Sequence, residues 1–138
     1  MADEIRIPIT SDSDLVPARA EGRALALELG FSRTDATLIA TAISEVARNI
    51  VQYAGDGEVS LSPIRLNGRE GIKVVAEDHG PGIESVEQAL RGEHADGRVS
   101  LGLPGARRLM DEFRVVSEAG KGTTVTMIKW KSRPDSQT

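Results

Sequence analysis

The pair Asn67-Gly68 narrows the possible folds more than any other feature of this chain. It lies between two runs that read as strands, Glu58 to Leu66 and Gly71 to Asp78. An Asn-Gly pair in that position marks a hairpin turn. The spacing predicts an antiparallel pair joined by a somewhat long loop. A second strand pair, Phe113 to Ser117 and Thr123 to Lys131, is expected around Gly120-Lys121-Gly122.

Helical signals separate the strands. Glu4 to Ile9 alternates apolar and polar residues as a half-buried strand does. A helix is expected from near Asp14 to Leu29, with Ala24, Leu25, Leu27 and Leu29 on one broad buried face and Gly30 ending it. Ser32-Arg33-Thr34-Asp35 has the form of a capping box and opens a second helix that runs to about Ala54. A short helix over Ser85 to Leu90 and another over Leu101 to Met110 follow, and residues 132–138 form a polar tail. Helices grouped with hairpins predict an α+β two-layer sandwich, with a mixed, mostly antiparallel sheet and helices on one face, not a doubly wound parallel sheet.

Composition sets the remaining bounds. With 138 residues, 39% hydrophobic and 28% charged, one domain over residues 1–138 with one core is expected. Only 3% of residues are aromatic, so Val, Ile, Leu and Ala build that core. A net charge of -4 argues against a general binder of nucleic acid or anionic membrane. The absence of cysteine excludes disulfides and thiolate metal sites. The polar start Met-Ala-Asp-Glu-Ile-Arg lacks the apolar stretch of a signal peptide, and no apolar run approaches the roughly 20 residues of a membrane span. A cytoplasmic location is the simplest expectation.

Glycine is abundant, at 14 residues, yet the standard nucleotide templates fail. Gly120-Lys121 is followed by Gly122 rather than Ser or Thr, so no P-loop exists there. The dinucleotide pattern G-x-G-x-x-G fails after Gly55, Gly80 and Gly120. There is no His-Glu-x-x-His zinc helix and no nucleophile elbow.

Four spaced features remain. Glu45 and Asn49 are four residues apart and share one helix face beside the apolar stripe Ile39, Ile43, Val46 and Ile50. The amide oxygen of Asn49 is a hard ligand suited to Mg²⁺ that also holds phosphate oxygens. Glu45 is suited to accept a proton from a hydroxyl or water. Taken alone, the plainer reading is an exposed acid and amide on an amphipathic helix. Next, Asp78 ends a strand before Gly80-Pro81-Gly82. Its carboxylate can accept a hydrogen bond from an exocyclic amine such as that of adenine, and the glycines let backbone pass close to a flat base. An Asx turn is the plainer alternative. Third, Leu101-Gly102-Leu103-Pro104-Gly105 puts backbone amides at a helix N-terminus, which favours phosphate or simply caps and packs the helix. Fourth, Gly120-Lys121-Gly122-Thr123-Thr124 is either a hairpin turn or a place from which a Thr bonds a base, directly or through water.

Taken together in this order, the four features resemble the GHKL ATPase/kinase superfamily, the Bergerat fold. Glu45-x-x-x-Asn49 resembles its N box, Asp78-x-Gly80-x-Gly82 its G1 box, residues 102–105 its G2 box and Gly122-Thr123 its closing element. Residues 83–100 then correspond to the ATP lid. The runs 40–51, 80–83, 102–113 and 120–125 resemble more closely the RsbT-like serine/threonine kinases, the switch kinases of the bacterial stressosome. The chain is similar, less closely, to anti-sigma-factor kinases. The resemblance implies that Asn49 coordinates Mg²⁺ on the ATP phosphates and that Glu45 activates the acceptor hydroxyl. It implies that Asp78 bonds the adenine amine, with Gly80, Gly82 and Thr123 near the base, and that Gly102, Leu103 and Gly105 meet the phosphates. It implies STAS-domain proteins as phosphoacceptors and a downstream phosphatase as the target that the kinase then activates. A non-catalytic, ATP-gated binding module would use the same motifs without needing Glu45. The chain departs from the family at Ser100, a position often glycine, and Arg98 nearby either contacts phosphate or is solvated.

Overall fold

The structure, a computed structural model, describes residues 4–80, 102–118 and 120–131. Its strands are β1 (Ile5–Ile9), β2 (Gly57–Leu66), β3 (Arg69–Asp78), β4 (Glu112–Glu118) and β5 (Gly122–Trp130). Its helices are α1 (Leu15–Glu28), entered through a 3₁₀ turn at Asp12–Asp14, α2 (Arg33–Tyr53) and α3 (Gly102–Leu109). The five strands form one sheet in the order β1-β2-β3-β5-β4. Each of these four pairings is antiparallel, so the mixed, mostly antiparallel sheet expected from sequence has no parallel pair among the described residues. The expected short helix at 85–90, the lid 83–100 and the tail 132–138 lie outside the described residues.

Strand alternation decides which sheet face is covered. Along β3, Ile72, Val74 and Ala76 are buried, whereas Lys73 and Val75 are half-buried and Glu77 is exposed. On β2 the inward residues are Val59 and Leu61, on β5 Val125 and Met127, and on β1 Ile7 and Ile9. One face packed and one face toward water is the usual state of an antiparallel sheet. Helix α2 lies against β1, β2 and β3 and also packs on α1 and α3. Its stripe Ile39, Ile43, Val46 and Ile50 enters the core at helical spacing. Fully burying each such side chain stabilises the fold by about 1.5–3 kcal/mol. No helix among the described residues is long and apolar enough to cross a membrane.

The β2–β3 connection is tighter than the sequence suggested. Leu66 pairs with Arg69, leaving only Asn67 and Gly68 in the loop. Both have left-handed backbone, φ 53° and 79°, the conformation of a two-residue turn that matches strand twist. Arg69 and Glu70 are exposed, so they gave no apolar signal, yet their backbones complete the ladder.

The buried face of α1 also differs from expectation. Ala18, Gly22, Leu25 and Ala26 are buried, while Ala24 and Leu27 face solvent. Ala18, Gly22 and Ala26 form a row of small residues four apart, and a side chain at Gly22 would run into Ile43 of α2. Close approach of the two helices therefore selects small residues and turns Leu27 outward. The N-terminus of α1 is secured by Asp14, whose Oδ2 accepts from the Thr10 N–H at 2.8 Å, the Thr10 hydroxyl at 3.0 Å and the Ser11 N–H at 3.2 Å.

At the far end of the sheet, Trp130 lies across Gly71. Its indole N–H donates to Glu112 Oε2 at 2.6 Å, and the Arg69 guanidinium sits 4.7 Å from the ring centroid. A Cβ on Gly71 would come within 2.9 Å of the ring. This aromatic lid over a strand glycine fixes the end of β5 against β3 and β4.

Candidate functional site

The inner row of β3 runs Ile72, Val74, Ala76 and then Asp78, so the side chain that follows three buried aliphatics is a carboxylate. Asp78 is only 9% exposed. Burying a charge is costly unless hydrogen bonds compensate. Oδ1 accepts from the Gly80 N–H at 2.9 Å and from the Thr123 N–H at 3.3 Å. Oδ2 takes no hydrogen bond from a described residue.

Three glycines crowd this carboxylate. A Cβ on Gly57 would strike the Glu77 carbonyl and would sit 2.9 Å from Ile50 Cγ2 and 3.1 Å from Asp78 Cβ. One on Gly80 would lie 2.6 Å from Ala54 Cβ and 3.3 Å from Asp78 Oδ1. Gly122, at φ 111°, passes so near the Asp78 backbone that no side chain fits. The same contacts bring the end of α2 to the end of β3: Ile50 and Ala54 rest where Gly57, Asp78 and Gly80 leave room.

On α2, the Ser32 hydroxyl accepts from the Asp35 N–H at 3.1 Å and sets the helix start. Glu45 and Asn49 lie beside the buried stripe and are both partly exposed. Glu45 Oε1 accepts from Arg48 Nη1 at 3.2 Å. The Asn49 side chain makes no hydrogen bond with a described residue, so its amide oxygen is available to a ligand. Asn49 directly precedes Ile50, whose methyl converges with Asp78 over Gly57. Asn49 therefore lies near the end of α2 that meets Asp78, with Glu45 about one turn earlier on the helix.

The third and fourth motifs complete this end in part. In α3, Leu103 and Ala106 are buried against α2, so Leu103 has only its backbone to offer a ligand. Gly102 opens the helix. A Cβ at Gly105 would meet no atom of a described residue within 4 Å, so packing among the described residues does not require that glycine. Thr123 faces Asp78 across β3–β5 and Ser117 across β4–β5. Its hydroxyl is 2.8 Å from Ser117 Oγ, and Ser117 Oγ also donates to the Gly122 carbonyl at 3.2 Å. Gly82 lies outside the described residues. Sequence reasoning missed Gly57, placing it in a loop. The inward row Gly57, Val59, Leu61 on β2 was the signal that could have found it. Ser117 was missed as well, because only the β4–β5 register brings it to Thr123.

Among the described residues, two oxygens at the ends of β3 and α2 have no hydrogen-bond partner: Asp78 Oδ2, an acceptor, and the amide oxygen of Asn49. No group of three or more His, Cys, Asp or Glu among the described residues could hold a metal. A magnesium ion carried on phosphates needs few protein ligands, and the Asn49 amide oxygen, without a partner among the described residues, suits that case.

Comparison with known proteins identifies the family. Residues 9–129 match the family of the histidine kinase-like ATPase domain. The chain is similar to the serine/threonine-protein kinase RsbT of Bacillus subtilis (strain 168), at 45% identity over 94% of this chain and 98% of that protein. It is similar also to the anti-sigma F factor of Caldanaerobacter subterraneus subsp. tengcongensis, at 32% identity over 84% of this chain and 85% of that protein. Among solved structures, the histidine kinase domain from the Erythrobacter litoralis EL346 blue-light activated histidine kinase shares the fold. Its TM-score is 0.55 at 24% identity, with 86% of this chain and 59% of that one covered. The antiparallel sheet with its helical layer, the convergence on Asp78 and these likenesses lead to one assignment: the chain belongs to the histidine kinase-like ATPase domain family.

Proposed function

We propose that this protein is an ATP-dependent serine/threonine protein kinase that phosphorylates a STAS-domain regulator, and that it is a cytoplasmic stressosome switch that goes on to activate a downstream phosphatase. The observation that carries this reading is the 45% identity, along nearly the full length of both chains, to a protein named a serine/threonine-protein kinase. ATP supplies the phosphoryl group, and Mg²⁺ offsets the charge of its phosphates. Asp78 accepts from the adenine amine through Oδ2, while Oδ1 stays bound to the Gly80 and Thr123 amides. Gly80, Gly82 and Thr123 lie along the base. The amide oxygen of Asn49 is the protein's ligand to magnesium, and the backbone at Gly102, Leu103 and Gly105 meets the phosphates. Glu45 accepts the proton of the acceptor hydroxyl.

The test is transfer from γ-labelled ATP, with magnesium, to a purified STAS-domain protein, followed by mapping of the labelled residue. Phosphoserine or phosphothreonine on that partner is expected. If label reaches no STAS-domain protein, the reading fails. A second reading, an anti-sigma-factor kinase, is supported by the 32% likeness to an anti-sigma F factor. Capture of a sigma factor, in place of activation of a phosphatase, would select it.

A further inference from the structure

Glu45 is not alone on its helix face. Arg48, three residues further along α2, donates from Nη1 to Glu45 Oε1 at 3.2 Å. The Glu45 side chain is 20% exposed and that of Arg48 49%, so the pair lies at the edge of the helix surface, next to Asn49. Neither side chain has another hydrogen bond or ion pair with a described residue.

The geometry points to Arg48 as a positioning residue for phosphoryl transfer. This rests on Glu45 being the group that takes the acceptor's proton. A glutamate on a helix flank has three free torsions and, unrestrained, spreads over several rotamers. A carboxylate also has two oxygens with room for about four hydrogen bonds. The guanidinium occupies Oε1 and narrows those rotamers, leaving Oε2 for the acceptor hydroxyl. The hydroxyl proton passes to Oε2 as its oxygen bonds the γ-phosphorus. The bond from that phosphorus to the β-bridging oxygen breaks, ADP leaves with the electron pair, and the proton on Glu45 later passes to solvent. The planar donor fork of arginine restricts the carboxylate more than the point charge of lysine does.

Removing a partly exposed pair of this kind changes rotamer populations by about two- to fivefold. The experiment is a double-mutant cycle on kcat for transfer to a STAS-domain protein, with Arg48→Ala, Glu45→Gln, the double variant and Arg48→Lys. Arg48→Ala is expected to lower kcat about two- to fivefold with ATP affinity and both KM values unchanged, and Arg48→Lys to restore part of the loss. On the Glu45→Gln background, Arg48→Ala is expected to change nothing. An equal loss on both backgrounds, a loss carried by KM for the partner, or no loss at all would overturn the role of Arg48. Absence of transfer by the unsubstituted protein would instead overturn the kinase reading, and this inference with it.

Discussion

Thr123 stands opposite Asp78 in the β3–β5 ladder, and its backbone N–H donates to Asp78 Oδ1 at 3.3 Å. The Gly80 N–H donates to the same oxygen. One carboxylate oxygen is thus committed to the fold, and the other takes no hydrogen bond from a described residue. That division separates what Asp78 does for stability from what it does for a ligand.

Asp78→Asn exploits the division. The amide oxygen can keep both backbone hydrogen bonds, so the melting temperature is expected to fall by only a few degrees. Under the proposed function, the second position becomes an NH₂ donor opposed to the adenine amine, also a donor. Losing a hydrogen bond to a charged group costs about 1.5–3 kcal/mol, or roughly 10- to 150-fold in affinity. Calorimetric titration with ATP measures it, and binding within twofold of the unsubstituted protein would remove Asp78 from base recognition.

Glu45→Gln separates chemistry from binding in the same way. The side chain keeps its shape and can still accept from Arg48, but the amide is too weak a base to take a proton. Transfer to the partner is expected to slow by about 10²–10⁴-fold, the usual worth of a general base, with ATP affinity unchanged. A transfer rate within twofold of the original would exclude Glu45 as the base.

Legibility varied with the physics of each segment. Asp78 was readable because a carboxylate ends a strand-forming run, and β2 and β3 because two such runs flank the Asn67-Gly68 turn. The face of α1 was misread: hydrophobicity pointed to Leu27, whereas the close approach of α2 at Gly22 and Ile43 put small residues inward. The hairpin loop came out too long because Arg69 and Glu70 join the ladder through backbone alone. Gly57 was missed because glycine adds nothing to a hydrophobic period, so only extending the inward row of Val59 and Leu61 back by two residues reaches it, and the space it leaves admits Ile50 and Asp78. The pairing of Ser117 with Thr123 depends on strand register, a long-range property that local patterns do not encode.

The cap at Asp14 carries a pH signature. Its carboxyl is held below the ordinary 3.8, chiefly by the Thr10 N–H and then by the Thr10 hydroxyl, with the Ser11 N–H adding to them. A depressed carboxylate contributes stability that is fully present above its unfolded value and is lost as pH falls through its folded value. The melting-temperature gap between the protein and Asp14→Ala is therefore expected to be constant from pH 7 to about 5 and to shrink below 3.8. Thermal melts across that range check it, and a gap that widens in acid would rule out the cap's charge as its source.

Gly57 and Gly68 offer a paired comparison, because one glycine is required for space and the other for backbone. At Gly68 a Cβ meets nothing within 4 Å, but φ is 79°. Gly68→Ala should therefore cost about 1–2 kcal/mol of stability through strain, with ATP affinity untouched, since the turn is at the other end of β3 from Asp78. At Gly57 the backbone is ordinary, but a Cβ strikes the Glu77 carbonyl and comes 2.9 Å from Ile50 Cγ2 and 3.1 Å from Asp78 Cβ. Relief requires β2 to shift or both side chains to move, at about 1–3 kcal/mol as in other overpacked cores. Either response moves Asp78 relative to Asn49, so Gly57→Ala is expected to weaken ATP binding roughly tenfold or more at a stability loss similar to that of Gly68→Ala. Measured side by side, equal melting temperatures with unequal ATP affinities would mark Gly57 as part of the nucleotide site. Equal affinities would reduce it to a packing residue of β2.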